Sequence, residues 1–386
     1  MLFRGADVVS GGRSRGVQDV LVVGDRIAEV GHIRSISSPV ADATGLLLAP
    51  GLIDIHIHGA MGHDTLDATS RALGAIGRHL ASNGVTSWAP TTASHSRAAI
   101  DEVLAAHESH RSGPGEARSI GVHLEGPYLS EARCGAQDPA HLRDADEDEW
   151  RSWCATGQVT QITVAPERDP DGRLIRTASS AGIRIAIGHS DATYEQTIAA
   201  IDDGGRQATH LFNGMPPLHH REPGVVGACL VDPRVDVQLI ADLVHTHPGI
   251  LRLVHAAAGP ERVLLVSDAM RATGLGNGDY LLAEQQVVVT DGVARTAAGG
   301  LAGSTLELLT GVRNYRDATA CELAVALHAA SGVPARALGL DDRGLIQPGY
   351  AADIILLDPE ELRPVLAIVG GTVAHDQLTD DRWITR

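Results

Sequence analysis

Eight apolar, strand-length runs recur through the middle of the chain, most of them separated by helix-like stretches. They are GLIDIHIH (51–58), GVTSWAPTT (84–92), SIGVHLEGP (119–127), VTQITVAPE (159–167), GIRIAIGHS (182–190), QATHLFN (207–213), VDVQLIADL (235–243) and RVLLVSDAM (262–270). The intervening segments are Ala-rich, as in SRALGAIGRHLASNG. Several end in a glycine just before the next strand (Gly84, Gly182, Gly205), as helix C-caps do. Eight β/α units predict an α/β fold of the closed (β/α)8 TIM-barrel type. A doubly wound open sheet is the alternative, but no GxGxxG follows the first strand.

Both ends read differently. QDVLVVGDRIAEVG is a hairpin pattern around Gly24-Asp25, and GLIQPGYAADIILLDPEELRPVLAIVGGTVA is equally strand-rich. We expect a small β-sandwich domain built from residues 1–50 plus 341–386, flanking a barrel over 51–340. After the eighth strand the pattern predicts a hairpin around Asp291-Gly292 and helices at roughly 305–315 and 319–331.

A chain of 386 residues that is 44% hydrophobic can bury a large core. Its net charge of −17 and pI of about 5.5 argue against nucleic acid or an anionic membrane as partner. A small anion remains compatible, because a few local arginines can overrule the global charge. Cys134, Cys154, Cys229 and Cys321 are scattered and form no CxxC pair, which suits a reducing cytosol. The opening MLFRGADVVSGG lacks a signal-peptide apolar stretch, and no long uncharged apolar window predicts a membrane span, so the expected location is cytoplasmic. All 31 basic side chains are arginine. Mechanisms that need a Schiff-base, P-loop or carbamylated lysine are therefore excluded.

Active sites of such barrels lie at the C-terminal ends of the strands. The polar residues there are His56 and His58, Glu125, His189, His210, Asp242 with His245, and Asp268. His56 and His58 are two apart in a strand and so face the same way, which suits a divalent transition metal. Taken singly, each residue has an ordinary reading as a loop or paired side chain. As a set they point to metal-assisted chemistry. His63, His95, His107, His110, His141, His247 and His255 read as solvated or packing histidines, Cys134 as a loop cysteine, and DADEDEW (144–150) as a solvated helix start.

The constellation of His-X-His, a mid-chain carboxylate, two later histidines and a final Asp resembles the amidohydrolase superfamily of metal-dependent hydrolases. Within it, HLEGPYLS (123–130), GHS (188–190), THLFNGMPPLHHREPG (209–224), ADLVH (241–245), SDAM (267–270) and LAGS (301–304) resemble the N-acetylglucosamine-6-phosphate deacetylases. The resemblance implies that Glu125, His189 and His210 hold one divalent metal and that His56 and His58 offer a second position. Glu125 then becomes the candidate bridge, since no lysine can serve. Zinc is favoured by the histidine-rich set, with iron or another divalent metal as alternatives.

The resemblance further implies that Asp268 transfers the proton, and that Asn213, Gly214, Arg221 and His245 line the sugar-phosphate end. It places Ala136 and Gln137 on a loop over the site, and Leu301, Ala302 and Gly303 near the acetyl group. A homodimer with an amino-sugar phosphate as small-molecule substrate is expected. Three positions depart from the family pattern. Gln137 replaces a usual His, Leu243 replaces a Gly and adds bulk beside His245, and Gly214 replaces a common Ala, a change that reads as harmless. They keep open an amidohydrolase acting on a different N-acyl amino sugar or a cyclic amide. A barrel that has lost catalysis is the remaining alternative.

Overall fold

The structure is a computed structural model that describes residues 1–34 and 39–385. Eight parallel strands form its centre: β1 (Leu52–Ile57), β2 (Val85–Thr92), β3 (Val122–Glu125), β4 (Val159–Val164), β5 (Arg184–Ile187), β6 (Gly205–Ala208), β7 (Asp236–Ile240) and β8 (Val263–Val266). Each pairs in parallel with the next from β1 to β8. The barrel closes at the β8–β1 seam just past the regular strands. There Asp268 N–H donates to His56 O at 2.9 Å, and His58 N–H donates to Ala269 O at 2.9 Å. The predicted barrel is present.

Its strands are covered outside by helices, so they read as nearly unbroken apolar runs. The helix Ser70–Ser82 illustrates the fit. Thr69 caps its N-terminus by accepting from Ala72 N, and its buried stripe includes Leu73, Ile76 and Leu80. Burial of each such aliphatic side chain stabilises the fold by about 1.5–3 kcal/mol.

Strands from both chain ends make a second sheet. Its order runs Thr372–Asp376, Pro364–Val369, Ile354–Leu357, Leu47–Pro50, Leu2–Ser10, Arg13–Val23 and Arg26–Gly31. Phe3, Val8, Val20, Ile27, Leu48, Ile354 and Leu366 form its own apolar cluster.

Some expected boundaries move. The QATHLFN run leaves strand geometry at Ala208, because His210 (φ 26°) and Phe212 (φ 80°) are left-handed. The late helices are three: Leu308–Thr319, Leu323–Ala329 and Gly332–Leu338. The Asp291-Gly292 hairpin is present, but within a three-stranded antiparallel sheet of Gly278–Leu282, Gln285–Thr290 and Val293–Thr296. The acidic 144–150 segment is not wholly solvated. Glu149 is buried, where it accepts from Tyr128 and from two nitrogens of Arg143.

Candidate active site

Six barrel strands deliver the site at or just past their C-terminal ends. Glu125 ends β3, while His189, His210, Asp242 and Asp268 each lie two residues beyond the ends of β5, β6, β7 and β8. His56 lies one residue before the end of β1, and His58 one residue beyond it. His189 (φ 47°), His210 and Asp268 (φ 51°) all sit on left-handed backbone, which turns the side chains inward at a cost of about 1–3 kcal/mol each. Such strain persists only where surrounding structure holds it.

Glu125 is the hub. Its Oε1 lies 3.3 Å from His56 Nε2, 3.3 Å from His189 Nε2 and 3.1 Å from His210 Nε2. Its Oε2 lies 3.3 Å from His58 Nε2. Asp268 Oδ1 lies 3.1 Å from His58 Nε2 and 3.4 Å from His56 Nε2. Two groups result that could each hold a metal, His56–His58–Glu125 and Glu125–His189–His210, and Glu125 belongs to both.

Neighbouring groups fix which ring nitrogen faces the centre. Gln238 Nε2 donates to Gln207 Oε1 at 2.9 Å, so Gln238 Oε1 is left to accept from His56 Nδ1 at 3.2 Å. His56 therefore turns the lone pair of Nε2 inward, and that atom has no hydrogen-bond partner although it is buried. Likewise His189 Nδ1 donates to the carbonyl oxygen of Arg133 at 2.8 Å, leaving Nε2 free to ligate 3.1 Å from His210 Nε2. Converging imidazole lone pairs around a shared carboxylate fit a divalent cation.

The electrostatics agree. Burial would raise the Asp268 carboxyl, but its contact with His58 and the charge of His56 outweigh that and hold it at about 2. Glu125 falls well below the carboxylate range despite burial, through His56, His189 and His210. In turn His56, His58 and His189 are raised against burial by the two carboxylates, whereas burial lowers His210. The cluster attracts positive charge.

Beside it opens a cavity of about 270 Å³, lined by His58, Glu125, His189, His210 and Asp268 at its floor. Ala136, Gln137, Asn213, Gly214, His245, Leu301 and Gly303 form its walls, together with Gly135, Leu282 and Gly300. His245 donates from Nδ1 to Asp242 Oδ2 at 2.6 Å.

Four expectations need correction. Arg221 does not line the cavity; it is exposed and donates from Nη1 to His220 Nε2 at 2.8 Å. Ala302 is fully buried behind the wall, packed with Met270, Leu282 and Ala294. Leu243 adds no bulk inside, since it is 43% exposed; its backbone is left-handed at φ 67°, the conformation a Gly adopts freely. Gly214 is not a neutral replacement for Ala, because a Cβ there would lie 2.8 Å from His189 Nδ1.

Some site residues were not singled out from the sequence. His123 lies on β3 two residues before Glu125, under His56 at 4.7 Å between ring centroids, and is bonded to Thr163 Oγ1 at 2.7 Å. Gln207 and Gln238 are fully buried inside the barrel. The period-two spacing from Glu125, and glutamines within apolar strands, were the available signals.

The sequence pattern of the amidohydrolase family matches residues 47–384. The chain belongs to the amidohydrolase family. Among curated relatives of this amidohydrolase, an N-acetylgalactosamine-6-phosphate deacetylase of Escherichia coli O157:H7 is 41% identical, covering 86% of this chain and 90% of its own. An N-acetylglucosamine-6-phosphate deacetylase of Lysinibacillus sphaericus is 36% identical, covering 93% and 94%. Among solved structures, the Mycobacterium smegmatis N-acetyl-D-glucosamine-6-phosphate deacetylase in complex with N-acetyl-D-glucosamine-6-phosphate has a TM-score of 0.89 at 34% identity, covering 97% of this chain and 99% of that one. The Thermotoga maritima deacetylase has a TM-score of 0.86 at 34% identity, covering 97% and 100%.

Proposed function

We propose that this amidohydrolase removes the N-acetyl group of N-acetylglucosamine-6-phosphate by hydrolysis, giving glucosamine-6-phosphate and acetate. The observation that carries the reading is the Glu125-centred pair of metal-binding groups, with Asp268 reaching both histidines of one of them. Glu125, His189 and His210 would hold one divalent cation, and His56 and His58 with Glu125 a second, zinc being favoured by the donor set. Bound there, such a cation would supply Lewis-acid activation of water and of the amide carbonyl.

The chain's own residues do the rest. Asp268, ionised and aimed at the same centre, accepts a proton from the attacking water and returns it to the departing nitrogen. His245, held by Asp242, and Asn213 offer donors to the sugar-phosphate end of the cavity. Leu282, Leu301 and Gly303 shape the wall. Arg221 is outside its own chain's cavity, and we propose that in a homodimer it reaches the site of the partner subunit, supplying a forked donor for phosphate.

Among the described residues no helix is long and apolar enough to cross a membrane. All four cysteines are free, which supports a cytoplasmic setting.

A second reading follows from the relative at 41% identity, which acts on the galacto epimer. Turnover of N-acetylglucosamine-6-phosphate, N-acetylgalactosamine-6-phosphate and unphosphorylated N-acetylglucosamine, with metal measured on the same sample, tests both. The first reading predicts the highest kcat/KM on the gluco phosphate. Preference for the galacto phosphate transfers the assignment to the epimer. Equal turnover with and without phosphate overturns both.

A further inference from the structure

The departure at Gln137 has a use that the motifs did not suggest. Both polar ends of its side chain are engaged by the protein. The amide nitrogen donates to Glu125 Oε2 at 2.7 Å, and the amide oxygen accepts from Ser94 N–H at 2.6 Å. These bonds are short, and Gln137 is only 7% exposed. Ser94 is itself buried, just beyond the end of β2. The glutamine is thus a bracket from a fixed backbone point to the central carboxylate.

The bracket acts on one oxygen. Glu125 Oε1 faces His56, His189 and His210, whereas Oε2 faces His58 and the Gln137 amide. Rotation of the Glu125 carboxylate would carry Oε2 away from His58 while Oε1 could still meet His189 and His210. We infer that Gln137 is a positioning residue for the metal pair: it fixes Glu125 Oε2 toward His58 and so sets the affinity of the His56–His58 metal position, and much less that of the His189–His210 position. This rests on the metal-dependent reading above. Partners that orient a ligating carboxylate commonly change metal affinity 10–100-fold when removed.

The test measures metal binding directly by competition with a chromophoric chelator on apo-protein reloaded with zinc, alongside metal content. Gln137→Met keeps the side chain's length and volume but neither hydrogen bond. Gln137→His keeps one nitrogen donor for Glu125. Thermal melts confirm that each variant is folded. For wild type we expect two equivalents. The equivalent that His56→Ala removes should bind Gln137→Met at least tenfold less tightly than wild type, and the other equivalent within about threefold of wild type. Gln137→His should fall between wild type and Gln137→Met. Unchanged affinities in Gln137→Met overturn the positioning role and leave the metal reading standing. Equal loss of both equivalents in either folded variant also overturns the selectivity for His56–His58. A wild type that takes up no divalent ion overturns both readings.

Discussion

The backbone N–H of Asp268 donates to the carbonyl oxygen of His56 at 2.9 Å, so the seam that closes the barrel also joins the proposed proton carrier to the first histidine. The Asp268 side chain meets the same histidine from the other side, at 3.4 Å. Structure and chemistry at this position therefore use different atoms.

That separation makes the role of the carboxylate testable. Asp268→Asn leaves the backbone bond in place and should fold normally. Loss of general acid–base transfer should lower kcat by about 10²–10⁴-fold with little change in KM. Steady-state kinetics together with a thermal melt check this. A variant that keeps more than about a tenth of wild-type kcat would exclude the role.

Metal content should divide the histidines. His189→Ala or His210→Ala removes a ligand from the Glu125–His189–His210 group and should strip that metal and nearly all activity. His56→Ala should cost less, because that group is intact without it. Elemental analysis of the three proteins decides, and equal content in all of them would contradict the assignment.

Much of this was legible in the sequence, because strands and catalytic positions obey simple spacing. The β/α alternation and the polar residues at or just past six of the eight strand ends needed no long-range information. The same is true of His56 and His58, which strand periodicity puts on one face. What stayed hidden depends on pairs far apart in the chain. Gln137 meets Glu125 and Ser94 only because a loop folds back over the barrel mouth. Leu243 looked like bulk in the site, but its left-handed backbone turns it to solvent. Arg221 sits inside the most specific motif, and motif membership gave no indication that it lies away from the cavity of its own chain.

Gly214 carries a similar lesson and a prediction. Its φ is 62°, and a Cβ would press on the His189 nitrogen that bonds to the Arg133 carbonyl. Gly214→Ala should add about 1 kcal/mol of backbone strain and tilt His189. The expected result is roughly tenfold weaker metal binding with the fold retained, read by chelator competition. An affinity equal to wild type would mean the ring has room to move aside.

The Asp242–His245 pair predicts a pH dependence. Burial alone would lower the His245 pKa, but the hydrogen bond and charge of Asp242 outweigh it and raise the value above 6.5. His245 thus stays cationic to higher pH than a free imidazole. If it faces phosphate, KM for the phosphorylated sugar should climb as pH rises through that raised pKa. In Asp242→Asn the supporting charge is gone, so the climb should begin at lower pH. A KM profile that does not move between the two proteins would remove His245 from phosphate recognition.

The last prediction concerns Arg221 and the assembly. Within its own chain the guanidinium does not line the cavity; it is exposed and bonded to His220. Should it serve the site of a partner subunit, Arg221→Ala must weaken binding of the phosphorylated sugar. Losing a charged, hydrogen-bonded partner costs about 2–5 kcal/mol, which is roughly a 30-fold or greater rise in KM. The unphosphorylated sugar should be nearly unaffected. Mixing separates this from a role in the same chain. Arg221→Ala and Asp268→Asn subunits are each defective, but in a mixed dimer the site with intact Asp268 receives its arginine from the Asp268→Asn subunit. Co-refolded mixtures should therefore regain a fraction of turnover with wild-type KM. If mixtures show only the high KM of Arg221→Ala, the arginine does not act across the interface. A protein that sediments as a fully active monomer would exclude the shared site altogether.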